Sequence, residues 1–357
     1  MRIVFILLCI FSTLQHAQAR RSVIPGSRYE SARAAALGGA YLPIVDNGVE
    51  ALFYQPAAIS KTDDFFVEAL NLQMSFNNPY LNNAGVINTG QFSLEKLNQK
   101  TFSGFSNAGV QLMTGLAVQG FSFGLLYRTE LGAQKVDGVL TYRSEYQLIP
   151  AVGFSVRLAK GIVRLGYSLQ LVNESIGEIT ETDPDNASLS YKNGLAEGAG
   201  LSHNFGFALT LPLSGLPSLN IVARDIGGTS FSLPNLVGVA KNSSGQPSAE
   251  KMTVDIGMGL HYVAKGGGFY NLALTYRDAL SKGSGHLLSK ISFGFELNLM
   301  KLVSVRLGFG EGYPSGGFGI ITPRGEIMFT YANQEVGSGF RNTMETRYFA
   351  QYRLSFF

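Results

Sequence analysis

The chain's imidazoles are His16, His203, His261 and His286, and no two of them are close in sequence. His261 shares one face of an alternating segment with Asp255, which makes it the strongest general-base candidate. A serine hydrolase needs a serine and a carboxylate gathered around such a histidine. The sequence sets no such pair beside it, so His261 reads as a structural group on an inward face, and His203 falls with Phe205 and Phe207 on the opposite, outward kind of face. Asp183-Pro184-Asp185-Asn186, near Glu174, Glu178, Glu181 and Glu197, has the oxygen density of a Ca²⁺ loop. A solvated connection between strands has the same composition, and no metal is assigned. Gly266-Gly267-Gly268 and Gly316-Gly317 lack the strand–loop–helix setting of a phosphate cradle and read as turn glycines. The one cysteine, Cys9, lies in a leader-like segment. The expected mature chain therefore has no disulfide, no thiolate metal site and no cysteine nucleophile. Neither an enzyme nor a cofactor is expected.

Composition narrows the class. Of 357 residues, 15% are charged and 45% hydrophobic, with 43 glycines; soluble domains average about 25% charged residues. The net charge of +3, with no long basic run, argues against nucleic acid as a partner. Past residue 19 no apolar run approaches the roughly 18 residues of a membrane-spanning helix. Met1-Arg2, the apolar run Ile3 to Phe11 and the close Ala17-Gln18-Ala19 form a secretory signal peptide, residues 1–19, with cleavage expected after Ala19.

From about residue 65 the chain alternates with period two. Met252, Val254, Ile256, Met258, Leu260 and Tyr262 interleave with Thr253, Asp255, Gly257, Gly259 and His261; Ile291, Phe293, Phe295, Leu297 and Leu299 interleave with Ser292, Gly294, Glu296 and Asn298. A soluble sandwich would carry many Lys and Glu on its polar face. Here that face is mostly small residues with single charges, which suits a lumen. Strands are expected near 65–76, 109–118, 120–130, 141–159, 162–173, 201–211, 218–225, 252–264, 268–278, 288–299, 302–310, 316–322, 325–334 and 344–357. These fourteen are joined by alternately short and long connections, the rhythm of a transmembrane antiparallel β-barrel. With no tryptophan, 16 Tyr and 25 Phe would have to form the aromatic girdles. Keeping 141–159 whole across Pro150 is what allows the count to close.

Residues 20–60 do not alternate. They contain Glu30-Ser31-Ala32-Arg33-Ala34-Ala35-Ala36-Leu37-Gly38-Gly39-Ala40, and then Val45-Asp46-Asn47-Gly48-Val49-Glu50-Ala51-Leu52-Phe53-Tyr54-Gln55-Pro56-Ala57-Ala58. This resembles the start of the outer-membrane long-chain fatty acid transporter (FadL-like) superfamily. In that superfamily an arginine-bearing segment ending Gly-Gly-Ala precedes an Asp, an aromatic pair and Asn-Pro-Ala. The resemblance extends to its PorV-like, secretion-associated branch, is strongest over 28–60, and is looser at 223–228 and 306–313. It implies a fourteen-stranded barrel, 61–357, whose segment 20–60 folds into the lumen as a hatch marked by Arg33, Gly38, Gly39, Asp46, Gln55, Pro56 and Ala57. Gln55 replaces the family's Asn, which would bond its neighbouring backbone more tightly.

Within such a barrel, Arg128, Arg143, Arg157, Arg306 and His261 are the lumen candidates. The arginines could meet a ligand carboxylate, or pair with Glu130, Glu145 and Glu296 inside a plugged barrel. Phe231, Leu233, Leu236 and Val237 make loop 226–251 an external apolar cluster, either a capture site or a cap over the mouth. Tyr348, Ala350, Tyr352, Leu354 and Phe356 form an apolar face before the final Phe357. Tyr352, Leu354, Phe356 and Phe357 resemble the signal read by the barrel assembly machinery. The expected place is the outer membrane of a Gram-negative bacterium, in contact with its lipid. The expected role is passive uptake of a hydrophobic or amphipathic small molecule, with a scaffold for a secreted protein partner as the alternative. A hydrophilic porin ranks third, since a hatch would obstruct it.

Overall fold

The computed structural model describes residues 28–82, 94–98, 102–185, 187–264, 267–281, 286–337 and 340–356. The expected signal peptide, residues 20–27, Asn186, Gly266 and Phe357 lie outside the described residues. Fourteen strands follow one another: β1 Phe66–Asn77, β2 Phe102–Val118, β3 Phe121–Val136, β4 Val139–Leu158, β5 Val163–Glu181, β6 Ala196–Thr210, β7 Ser218–Arg224, β8 Thr253–Val263, β9 Phe269–Tyr276, β10 Ile291–Leu299, β11 Val303–Gly310, β12 Tyr313–Thr322, β13 Gly325–Glu335 and β14 Met344–Phe356. Each pairs with its chain neighbours and β1 pairs antiparallel with β14, so the sheet closes on itself with no free edge. This is the all-β antiparallel barrel that the alternation predicts. Among the described residues no helix is long and apolar enough to cross a membrane.

β4 stays whole: Leu148 opposes Asn173 and Ala151 opposes Gln170 in one continuous register around Pro150. Two connections expected to be long are tight. Asp137-Gly138 (φ 51° and 81°) joins β3 to β4, and Glu311-Gly312 (φ 54° and 91°) joins β11 to β12. Positive φ at both central residues is the primed turn that matches strand twist, so alternation runs on into what reads as loop composition. The same extension carries β5 to Glu181 and starts β6 at Ala196. Gly316 and Gly317 are interior positions of β12, not a turn.

The outer face is apolar and exposed, with Phe123, Phe154, Phe205, Met258, Phe293, Phe318, Phe329 and Phe356 among its large side chains. A surface this apolar is the pattern of a lipid-facing wall. The main buried cluster lies instead inside the ring, and most of it comes from residues 29–59. That segment, hereafter the plug, holds short helices Ala32–Ala36 and Ala51–Tyr54 and tight turns Leu42–Ile44 and Pro56–Lys61.

Glycines in the wall let the plug backbone reach it. A Cβ on Gly308 would stand 2.2 Å from Gly38 N, one on Gly310 2.0 Å from Gly38 O, and one on Gly166 2.2 Å from the Pro56 carbonyl carbon. Gly38 itself has φ +63°. The glycine richness of the strands is thus partly a set of notches for a second backbone. Gly308→Val should expel this part of the plug at a cost of about 1–3 kcal/mol, seen as a lower thermal midpoint and faster proteolysis within 30–60. Gly316→Ala, whose Cβ meets nothing nearer than 3.4 Å, should do neither.

Candidate functional site: the plugged lumen

A barrel wall spends its own backbone hydrogen bonds between strands, so a segment enclosed by it must find side-chain partners. The inward polar residues supply them. Gln73 and Gln111 bracket Glu30: their Nε2 atoms donate to its carbonyl at 2.6 and 3.1 Å, while Gln111 Oε1 accepts from its N–H at 3.1 Å. Gln73 Oε1 accepts from Ala32 N at 2.8 Å, Thr330 Oγ1 donates to Ala32 O at 2.9 Å, and Ser315 Oγ donates to Ala36 O at 3.0 Å. On the opposite wall Ser168 Oγ and Gln170 Nε2 both donate to Leu52 O at 2.9 Å. Gln55 Nε2 donates to Phe207 O at 3.1 Å, so the longer side chain reaches the wall instead of its own neighbours.

The charges are ordered as alternating signs. Arg33 Nη2 lies 2.7 Å from Glu296 Oε2, and its Nη1 lies 2.6 Å from Asp46 Oδ1. Arg306 continues the chain, 2.7 Å from Glu296 and 2.8 Å from Glu326, and Arg353 lies 3.4 Å from Glu326. All but Asp46 and Arg353 are almost fully buried. Glu50, also buried, accepts from the Tyr29 hydroxyl at 2.9 Å and the Tyr41 hydroxyl at 2.5 Å. Burial first, and then the Glu50 carboxylate, pushes both phenols well above their ordinary value, so they stay protonated donors. Asn47 Oδ1 accepts from Val49 N at 2.8 Å while its Nδ2 donates to Glu68 at 2.5 Å, tying the turn before Ala51–Tyr54 to the bulge of β1.

Arg28 anchors the plug at the other end. It lies 2.7 Å from Asp225 and 2.5 Å from Glu250, at the start and end of the connection after β7. That connection folds inward as well as outward. Phe231, expected on an exposed loop, is 2% exposed and belongs to the inner cluster. Its backbone lies over Gly198, where a Cβ would stand 2.4 Å from Phe231 O, and Leu233 bridges Ala199 of β6. A glycine notch thus draws the ring in, while Leu233, Leu236 and Val237 remain 41%, 49% and 48% exposed.

The remaining predicted residues fall as follows. Arg128 lies 2.6 Å from Glu130 and 3.7 Å from Glu30; Arg143 lies 3.9 Å from Glu145; Arg157 lies 2.6 Å from Asp63. His261 Nδ1 is 2.6 Å from Asn271 Oδ1, whereas Asp255 pairs with Arg224, so no histidine–carboxylate couple forms. Gly39 and Ala57 sit with the plug, Ala57 O accepting from Ser155 Oγ at 3.0 Å. Tyr352, Leu354 and Phe356 share the outer face of β14. Asp185 of the acidic loop accepts from Asn98 at 2.8 Å, and no three potential ligand side chains gather among the described residues. Glu326, Arg347 and Arg353 were legible only as inward positions, and nothing in the sequence pointed to Arg28, Tyr29, Tyr41 and Glu50 as network members.

Two cavities flank the plug. One of about 460 Å³ opens at the end where the strands are joined by short turns, among Arg33, Asp46, Asp63, Glu326 and Arg353. The other, about 270 Å³, lies at the opposite end among Phe105, Asn107, Glu130, Arg143, Gln334 and Glu345.

Neither a protein-family description nor a curated protein matches this sequence. Solved structures do match its fold. The CymD monoaromatic hydrocarbon channel superposes with a TM-score of 0.54 at 10% identity, covering 90% of this chain and 96% of that one. A deltaS2S3 mutant of the TodX monoaromatic hydrocarbon channel gives 0.53 at 12% identity, covering 91% and 97%. At such identities the likeness is one of architecture.

Arg33→Met should cost about 3–5 kcal/mol of stability by stranding the carboxylates it bridges, measured as a fall in thermal midpoint. Arg33→Lys should recover less than half, since a point charge cannot fork between two carboxylates. Burial alone would raise the Asp225 carboxyl, but Arg28 and the Thr229 hydroxyl outweigh it and hold the group below the usual carboxylate range. A depressed carboxyl stabilises the fold above its unfolded value and loses that contribution only as pH falls through its folded value. Hydrogen-exchange protection of residues 28–36, corrected for intrinsic rates, should therefore hold from pH 7 to about 4 and fail only below.

Proposed function

We propose that this chain is an outer-membrane barrel for passive uptake of hydrophobic or amphipathic small molecules, closed at rest by its plug. The observation that carries this reading is a lipid-type outer wall around a lumen whose filling is held by side chains rather than by strand pairing. The architecture shared with monoaromatic hydrocarbon channels supports it. Monoaromatic hydrocarbons and fatty acids are the ligand classes to try. The short-turn end would face the periplasm and the long-loop end the outside. The barrel performs no catalysis in this reading. Tyr352, Leu354 and Phe356 are the segment offered to the assembly machinery, and Leu233, Leu236 and Val237 the first apolar contact for a ligand.

The same exposed loop residues favour a second reading, a PorV-like scaffold that holds a secreted protein and transports nothing. A thiol-free mature chain makes the two separable. Ser60 Oγ lies 2.9 Å from Ser155 Oγ of β4, so Ser60→Cys/Ser155→Cys should form a disulfide with a small adjustment. In proteoliposomes loaded with a hydrocarbon-responsive dye, the oxidised double variant should pass toluene or a fatty acid at least tenfold more slowly than the reduced one. Equal rates in both, no higher than empty liposomes, together with native mass spectrometry showing a stoichiometric protein complex, would establish the scaffold instead.

A further inference from the structure

The β4–β5 hairpin closes at the short-turn end with three cations, Arg157, Lys160 and Arg164. Arg157 and Arg164 stand directly opposite each other in the antiparallel register. Like charges so placed repel and weaken the pairing. Other charged pairs on the inner face are answered. Glu296 opposes Arg306 and Glu326 opposes Arg353. Where two carboxylates oppose each other, at Glu130 and Glu145, Arg128 lies 2.6 Å from Glu130 and also attracts Glu145.

The two opposed arginines have no such answer. Arg157 spends Nε on Ser60 O and Nη2 on Asp63, 2.6 Å away. Asp63 holds it weakly, since the Asp63 side chain is 71% exposed. Arg164 donates from Nη1 to Thr210 Oγ1 at 3.2 Å and makes no ion pair among the described residues. Arg157 Nη1 and Arg164 Nη2 are thus left without partners among the described residues, and neither is enclosed. Arg164 turns toward the hairpin tip, where a Cβ on Gly161 would stand 3.5 Å from its Nη2. Lys160, exposed and at φ 57°, precedes that glycine and makes no ion pair among the described residues.

We infer that this hairpin tip binds a phosphate group, with Arg157 Nη1 and Arg164 Nη2 donating to different oxygens and Lys160 adding charge. Phosphate fits better than carboxylate for a geometric reason. Its oxygens diverge and accept from two guanidiniums on different strands, whereas the two oxygens of a carboxylate suit the fork of one arginine. A bound anion also replaces the Arg157–Arg164 repulsion with two attractions. Two sources share this chemistry, inorganic phosphate and a phospholipid head group. The second has an apolar path beside it, since exposed Phe154, Val156 and Leu158 run along the outer face of the same hairpin. The site holds whether or not the barrel passes a small molecule.

Isothermal titration of the detergent-solubilised full chain at pH 7 and fixed ionic strength tests it with sodium phosphate and sodium acetate. Phosphate should bind at one site, at least about tenfold more tightly than acetate. Arg164→Gln should weaken phosphate about tenfold. That change removes a repulsion and no ion pair, so the variant's thermal midpoint in chloride should equal or exceed the parent's. Lys301→Gln, on another short turn, should leave phosphate binding unchanged. Native mass spectrometry from micelles holding equal phosphatidylglycerol and phosphatidylcholine separates the sources. One retained phosphatidylglycerol, lost in Arg164→Gln, marks a lipid head group; phosphate binding with no lipid preference marks the free ion. Either outcome supports the site. Acetate as tight as phosphate, Arg164→Gln indistinguishable from the parent with both probes, an equal loss in Lys301→Gln, or no binding of either probe would each overturn it.

Discussion

A closed barrel leaves its interior no backbone to share. Every strand is paired on both sides, so a chain segment placed within must have the N–H and C=O groups that its own short turns leave over met by side chains. That requirement accounts for the inner face residue by residue. Gln73, Gln111, Ser168, Gln170, Ser315 and Thr330 are not a wetted lining; they are the hydrogen-bond partners of Glu30, Ala32, Ala36 and Leu52. The glycines complete the arrangement by letting two backbones come within contact, as Gly308 and Gly310 do with Gly38. Small and polar alternating with large and apolar is therefore one pattern with two sides, an exposed apolar wall outside and a second backbone inside.

The buried charges play a different part. Replacing a buried ion pair with apolar groups of similar shape is often neutral or stabilising, so such a pair is weak evidence for stability, whereas losing one partner is costly. Arg33 finds both Glu296 and Asp46 only when Ala32–Ala36 lies against β11 to β13, and Arg28 finds Asp225 and Glu250 only when the connection after β7 is folded in. The network thus sets the plug's register within the ring, which apolar packing of Ala34, Leu37 and Leu52 alone would specify less sharply.

How much of this is readable from the sequence depends on whether a feature repeats. Strands are legible because alternation has a fixed period, and the Glu296–Arg306 pairing follows from parity and the tight turn at Met300-Lys301, which sets them directly opposite. Glu326 opposite Arg353 is the same kind of pair, yet a longer connection separates β13 from β14 and hides its register. The tight turns at Asp137-Gly138 and Glu311-Gly312 carry a sequence signal, a residue tolerant of positive φ before glycine, that loop-length rhythm alone overlooks. The plug is legible as a segment that does not alternate, but its path is not, and so neither is the grouping of Tyr29, Tyr41 and Glu50. Phe231 illustrates the limit. Its loop composition is the same whether the ring points out or in, and the notch at Gly198 that decides the matter lies over thirty residues away in sequence.

The two halves of the plug are anchored by different forces, and this sets where opening costs least. Residues 28–50 are held by the Arg28, Arg33 and Glu30 ion pairs, each worth about 3–5 kcal/mol to break one-sidedly. Residues 51–60 are held mainly by neutral donors, Ser155, Ser168, Gln170 and the Gln55 amide, each contributing about 0.5–1.5 kcal/mol net, with two charged contacts, Arg224 donating to Tyr54 O at 3.0 Å and Arg157 donating to Ser60 O. Several neutral bonds together weigh about as much as one lost ion pair, but they can be exchanged singly with polar groups of a passing ligand or water. A buried charge has no such graded route. On the channel reading proposed above, movement of 51–60 along β4 to β6, with 28–50 kept in place, is accordingly the lower-cost displacement.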